Sequence, residues 1–346
     1  MKLCFNIGYS GAKLDIPIRR ILRAEELGFD TVWTSEAYGS DAITPLAWIG
    51  AQTKKIRLGT NIAQLSARTP TNLAMSAQTL DALCGRGRMI LGIGVSGPQI
   101  VEGWYGQPWG KPAARIRDYV AIVKKVWKRD APVVHEGTEI SLPYKGPGAT
   151  GLGKPLKSIL HGNPDIPIML GTATPANIRL TGEIADGWLS MHLVPASMRY
   201  YRGLLEEGLA KRSDGKTLQD LEIHGWASVV ITNDVKAALA AGKPRVALYV
   251  GGMGAKDKNY HKDSMVRRGY PEAAERIQEL YLAGRKDEAA AAVPDEYVDE
   301  EGLIGPEERI LERWPRWRDC GMTMLSLNEP TDAAIELMGT LARLHG

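Results

Sequence analysis

Few residues of this chain have obvious chemistry, and those few sit where short apolar runs end. Read as strands, the runs end at Gly8-Tyr9-Ser10, Thr34-Ser35-Glu36, Gly59-Thr60-Asn61, Gly92-Ile93-Gly94, Gly171-Thr172-Ala173 and Ser190-Met191-His192. Among these, Glu36 and His192 can exchange protons, as general acid–base catalysis requires. Each could equally be a capping or packed polar residue, and the spacing does not choose. There is no His-x-His and no Asp/Glu cluster, and Cys4, Cys84 and Cys320 lie far apart. Metal catalysis is therefore disfavoured, as is hydrolysis by a close carboxylate pair. The rest of the strand ends are glycine, small side chains and backbone. Such a surface suits a flat, bulky ligand that brings its own reactivity.

Two stretches could hold the polar part of such a ligand. In GTATPAN (171–177), small residues follow a strand and Pro175 opens a helix. Loop N–H groups and a helix N-terminus attract an anion such as phosphate. An ordinary strand-to-helix turn with proline at the first helical position reads the same way. In LGIGVSGP (91–98), Gly92 and Gly94 permit close backbone approach, but a lone Gly-x-Gly is common. Tyr38, Trp104, Tyr105 and Trp109 could wall a ring pocket or simply pack.

The elements that must position these residues alternate. Strands are expected at 3–7, 31–33, 55–59, 88–94, 166–170, 187–190, 222–231 and 323–327, with amphipathic helices between them. The helix over 113–128 places Ile116, Val120, Val123 and Trp127 on one face. The stretch 132–165 breaks the rhythm with a hairpin around Glu136-Gly137 and a Gly/Pro-rich loop. Residues 233–252 read as a helix interrupted by Gly242 and Pro244, and 252–305 as a second, helix-rich insertion. Eight strand–helix steps predict an α/β fold, a (β/α)8 barrel forming one domain over 1–346. A doubly wound open sheet is the alternative. Against it, IGYSGAK after the first strand lacks the dinucleotide Gly-x-Gly-x-x-Gly.

The 346 residues are 44% apolar and 24% charged, with a net charge of +3, which speaks for a globular chain without a nucleic-acid footprint. No run approaches a membrane span or a signal sequence. Three scattered cysteines fit a reducing, cytoplasmic setting.

Several motifs in order resemble the bacterial luciferase-like family, and in particular its coenzyme F420-dependent branch. They are AEELGFDTVWTSE (24–36), KIRLGTNI (55–62), AMSAQTLDALCGRGRMILGIG (74–94), PIMLGTATPANIRLTGEIADGWL (167–189) and EYVDEEGLIGPEERILERW (296–314). The resemblance implies a luciferase-like barrel in which the third strand ends in a bulge with a non-prolyl cis peptide, here Asn61–Ile62, pressed against the cofactor ring. It further implies that Gly171, Thr172, Ala173 and Asn177 hold the cofactor phosphate and that Gly92, Ile93 and Gly94 approach the ribityl chain. Gly8 would leave room beneath the ring, Gly59 to Ile62 would bear on its face, and Glu36 and Tyr38 would lie near its polar edge. The sugar-phosphate dehydrogenases of this branch carry a histidine and a glutamate where Ala37 and Val95 stand here. Their reaction is thus disfavoured, and the reductases are the nearer pattern.

The expectation is an F420-dependent oxidoreductase moving a hydride between deazaflavin and a small molecule with an activated C=C, C=N or carbonyl. Glu36 and His192 are the candidate proton carriers, with no metal, no nucleic acid and no membrane. An FMN-dependent monooxygenase of the same family and a non-catalytic cofactor-binding protein are the alternatives. The family further implies a homodimer.

Overall fold

The computed structural model describes residues 1–253 and 259–344. Its strands are β1 (Lys2–Gly8), β2 (Thr31–Thr34), β3 (Arg57–Thr60), β4 (Ala63–Gln64), β5 (Met89–Gly94), β6 (His135–Glu136), β7 (Ser141–Leu142), β8 (Ile168–Gly171), β9 (Gly187–Leu189), β10 (Glu222–Ile231), β11 (Gly302–Gly305) and β12 (Met324–Asn328). The fold is the (β/α)8 barrel, whose strands are β1, β2, β3, β5, β8, β9, β10 and β12.

The chain divides into two compact units. The larger holds Lys2–Leu189 and Leu204–Glu222. Within it β1, β2, β3, β5, β8 and β9 pair in that order, all parallel, and β4 adds to β5. Helices cover a parallel sheet, so its strands read as unbroken apolar runs rather than alternating ones; every residue of β5 is buried. The intervening helices start on expected signals. Thr69 accepts the Asn72 N–H before Pro70 opens the helix Pro70–Cys84, and Thr174 does the same for Asn177 before Pro175. The helix Pro112–Lys128 buries Ile116, Val120, Val123 and Trp127, as its period requires.

The stretch 132–165 contains the expected hairpin, β6 against β7. Asp118 holds it: one carboxylate oxygen accepts from the Glu139 and Ile140 amides at 2.7 and 3.0 Å, and the other meets His135 Nε2 at 3.1 Å.

The second unit holds Ser190–Gly203 and Ile223–Gly346. Here β10 pairs with β12 through His224–Ala227 and with β11 through Ser228–Ile231, both parallel. The structure corrects two expectations. First, Gly242 and Pro244 do not interrupt the helix, which runs from Val235 to Gly252. A proline inside a helix costs about 3 kcal/mol. Against that, Leu239, Val246, Ala247 and Val250 pack into a core with Met265, Ile277, Leu280 and Tyr297 from the inserted helices, and burial of this kind stabilises by about 1.5–3 kcal/mol per large side chain. Second, the end of the insertion supplies a strand, β11. Its four residues, Gly-Leu-Ile-Gly, are too short a run to show periodicity. Among the described residues no helix is long and apolar enough to cross a membrane.

Candidate active site

In the larger unit Glu36, just after β2, gathers bonds from Ala42, from Gln64 of β4 and from Arg68. Its side chain is buried, and each carboxylate oxygen is occupied. Oε1 accepts from the Gln64 amide and from Arg68 Nη1, both at 2.8 Å; Oε2 accepts from the Ala42 amide at 3.1 Å and Arg68 Nη1 at 2.9 Å. Gln64 Nε2 returns a bond to the Glu36 carbonyl at 2.9 Å. Arg68 also reaches Asp41 at 3.4 Å, and the Tyr119 hydroxyl donates to the Arg68 carbonyl at 3.0 Å. Burial acts to lower the Arg68 pKa, but the Glu36 hydrogen bond and charge outweigh it and raise the value. Glu36 therefore ties the loop after β2 to β4 and to the segment leading into the helix Pro70–Cys84.

Between β3 and β4 the Asn61–Ile62 peptide is cis. The Asn61 amide donates to the Thr34 carbonyl at 2.6 Å. Thr60 clamps the neighbouring strand: its hydroxyl donates to the Gly92 carbonyl at 2.7 Å and accepts from the Gly92 amide at 2.9 Å. The glycines at these ends have visible causes. A Cβ on Gly59 would enter the Trp33 ring, and one on Gly92 would strike the Thr60 carbonyl. A Cβ on Gly94 would stand 3.1 Å from Ile62 Cδ1, and one on Gly171 would stand 2.7 Å from Ile62 Cγ2. Gly94 and Gly171 thus seat the Ile62 side chain over the ends of β5 and β8. Gly8 has φ +64°, which favours glycine. Ile93 is buried within β5, opposite Ala63 and Leu170.

After β8, the Thr172 and Thr181 hydroxyls lie 2.7 Å apart, and the Thr172 carbonyl accepts from Trp188 Nε1 at 2.9 Å. Ala173 is half-buried, and Asn177 stands in the first turn of Pro175–Ile184. Tyr38 is exposed, with its ring 6.4 Å from that of Tyr9. The Tyr105 hydroxyl approaches the Ala37 carbonyl at 3.4 Å.

His192 belongs to the second unit and has partners of its own. Its Nε2 shares a hydrogen bond of 2.6 Å with His261 Nδ1, and its Nδ1 stands 3.9 Å from Glu301 Oε1. Arg268 pairs with Glu301 at 2.7 Å and with Glu300 at 2.8 Å, and stacks on the Tyr297 ring at 3.7 Å. Burial acts to raise the Glu301 carboxyl, but His192 and Arg268 outweigh it and hold it low. Burial and the neighbouring His192 push the His261 pKa down to about 3. Burial does the same to His224, whose Nε2 meets the Ser326 hydroxyl at 2.6 Å.

These shifts have a pH consequence. Below the ordinary value of 6.5 the unfolded chain protonates these histidines, while the folded chain keeps them neutral down to about 3. The unfolded state then binds more protons, so stability falls as pH drops through that window. Glu301, with its depressed pKa, adds loss of the same sign at the acid end. The urea midpoint is expected to fall between pH 7 and pH 5 by an amount worth on the order of 2–4 kcal/mol. A midpoint that stays flat over that range would show that the two imidazoles are not held neutral.

Sequence reasoning missed Gln64, Arg68, His261 and Glu301. Arg68 had one usable signal: a buried strand-end carboxylate needs a cation, and Arg68 stands just before the Thr-Pro that opens a helix. His261 lies in a polar insertion without a motif.

Comparison with known proteins places the chain. Residues 6–324 match the family "Luciferase-like monooxygenase", and the chain belongs to it. A curated relative from Mycobacterium tuberculosis, named "Putative coenzyme F420-dependent oxidoreductase", is 49% identical over 327 residues, covering 94% of each chain. The 5,10-methylenetetrahydromethanopterin reductase of Methanopyrus kandleri is 26% identical over 335 residues, covering 91% of this chain and 90% of the relative. The solved structure of the coenzyme F420-dependent tetrahydromethanopterin reductase from Methanopyrus kandleri superposes with a TM-score of 0.77 at 24% identity, over 98% of this chain and 97% of that one.

Proposed function

We propose that this protein is a coenzyme F420-dependent oxidoreductase that transfers a hydride between the deazaflavin and an organic substrate with an activated C=C, C=N or carbonyl. The observation that carries the reading is the 49% identity, spanning 94% of both chains, to a relative of that name. The residues present also fit such a group. Gln64 Oε1 and Ser66 Oγ are buried without a hydrogen-bond partner among the described residues, one at β4 and one just beyond it. Small residues Gly171–Ala173 precede a ten-residue helix whose N-terminal dipole favours phosphate.

When bound, the deazaflavin supplies a carbon that gives or takes a hydride. The chain's own task is then binding, orientation and proton supply. Gly171, Thr172, Ala173 and Asn177 would hold the phosphate end. Gly59, Thr60, Asn61 and Ile62 would hold the ring, with Gly92, Ile93 and Gly94 serving the side chain and Gly8 and Tyr38 completing the binding surface. Thr60 and Glu36 keep this surface in place through the bonds described above. Glu36 and His192 are the proton carriers. The same reading makes the protein a cytoplasmic homodimer of one-domain barrels with insertions at 132–165 and 252–305, acting on a small molecule and not on nucleic acid. A monomeric mass by sedimentation would remove the dimer.

Titration of the apo protein with F420 and separately with FMN, followed by cofactor fluorescence, tests the reading. Binding of F420 in preference to FMN is expected. Preference for FMN would reassign the chain to the oxygen-using flavin enzymes, and binding of neither would leave only the fold. With F420 bound, Glu36→Gln and His192→Gln should lower turnover without abolishing cofactor binding; unchanged turnover removes that residue as a proton carrier.

A further inference from the structure

Arg245 lies on the exposed side of the helix Val235–Gly252, and no carboxylate pairs with it among the described residues. Its guanidinium carbon stands 4.4 Å from the Trp226 ring centroid and 5.9 Å from that of Tyr249. Stacking orients a guanidinium and leaves its N–H edge as the group on offer, a fork that matches an oxyanion.

The platform under Arg245 is itself fixed. Trp226 Nε1 donates to the Met191 carbonyl at 2.8 Å, one residue before His192. Trp226 shares a strand face with the buried His224 and stands further toward the C-terminal end of β10. Barrels of this class carry their chemistry at that end. Tyr249 continues the platform: its ring is 4.8 Å from that of His261, which holds His192. A cation that lacks a counter-charge among the described residues and a hydrogen-bonded imidazole pair are therefore joined by one set of aromatic side chains, all within the second unit.

We propose that Arg245 anchors an oxyanion carried by the substrate, a carboxylate or a phosphate, so that the hydride acceptor or donor is an organic acid or a phosphate ester. As a substrate subsite this rests on the oxidoreductase reading; the anion binding itself does not.

Calorimetric titration of the full chain with crotonate, crotonamide and inorganic phosphate tests it. Crotonate and phosphate are expected to bind and compete, and crotonamide to bind far more weakly. Arg245→Met should weaken both anions roughly tenfold or more, the loss of a charged, forked hydrogen bond. Arg245→Lys should recover part of this, because it keeps the charge without the fork. Stronger binding of crotonate supports a carboxylic acid, and of phosphate a phosphate ester. Equal anion affinity in wild type and Arg245→Met overturns the proposal, as does crotonamide binding as well as crotonate, or no anion binding at all. F420 titration of the same variant separates the two readings. Unchanged F420 affinity supports a substrate role, whereas a matching loss assigns Arg245 to the cofactor and overturns it. A wild type that binds the anions through Arg245 but not F420 supports the anion site and removes the oxidoreductase reading.

Discussion

Arg68→Met is expected to lower unfolding stability by about 3 kcal/mol, because it leaves the Glu36 carboxylate buried without its counter-charge. The Glu36 side chain is only 3% exposed, so water cannot replace the guanidinium. The Gln64 and Ala42 amides remain, and they keep the loss below that of a fully stranded charge. The double variant Glu36→Gln/Arg68→Met should recover part of it, since a neutral amide avoids the stranded charge. Urea denaturation of the two single variants and the double gives the cycle directly. If Arg68→Met melts within experimental error of wild type, Glu36 is not held by this pair, and its claim on the proton chemistry strengthens accordingly.

Gly92→Ala should be at least as damaging, on the order of 3 kcal/mol or more. The added methyl would fall on the Thr60 backbone carbonyl and press on Leu189, and a backbone carbonyl has no rotamer to escape into. Thr60 is also the residue whose hydroxyl makes two hydrogen bonds with Gly92, so relief of the clash breaks those bonds. Gly11→Ala is the control. Its Cβ would meet nothing within 4 Å, and its stability should stay near that of wild type. Equal stability of the two variants in urea would mean that the end of β3 yields freely, contrary to its packing.

The barrel was legible in the chain because parallel strands buried on both faces leave apolar runs, and because Pro and Thr mark the helix starts between them. The site was legible only in part, and the reason is distance along the chain. Glu36 could be picked out as a strand-end carboxylate, but its partners Gln64 and Arg68 come 28 and 32 residues later. Gly94 and Gly171 could be read as room for something; that the room goes to Ile62 depends on a bulge whose shape no local pattern gives away. His192 was visible at the end of a run, whereas His261, 69 residues on, sits among polar helices where nothing marks it. Pro244 misled because local propensity argues for a break, and the core packed against that helix prevails.

Within the second unit β10 serves two neighbours in succession, β12 through His224–Ala227 and β11 through Ser228–Ile231. The strand works as a splice, and the inserted segment is spliced in at four consecutive ladder positions. Swinging this segment away as a hinged flap would mean unzipping Gly302–Gly305 from a strand that is simultaneously carrying another. Amide protons along Leu303 and Ile304 should exchange on the timescale of the whole unit's unfolding, in step with those of Leu325 and Leu327.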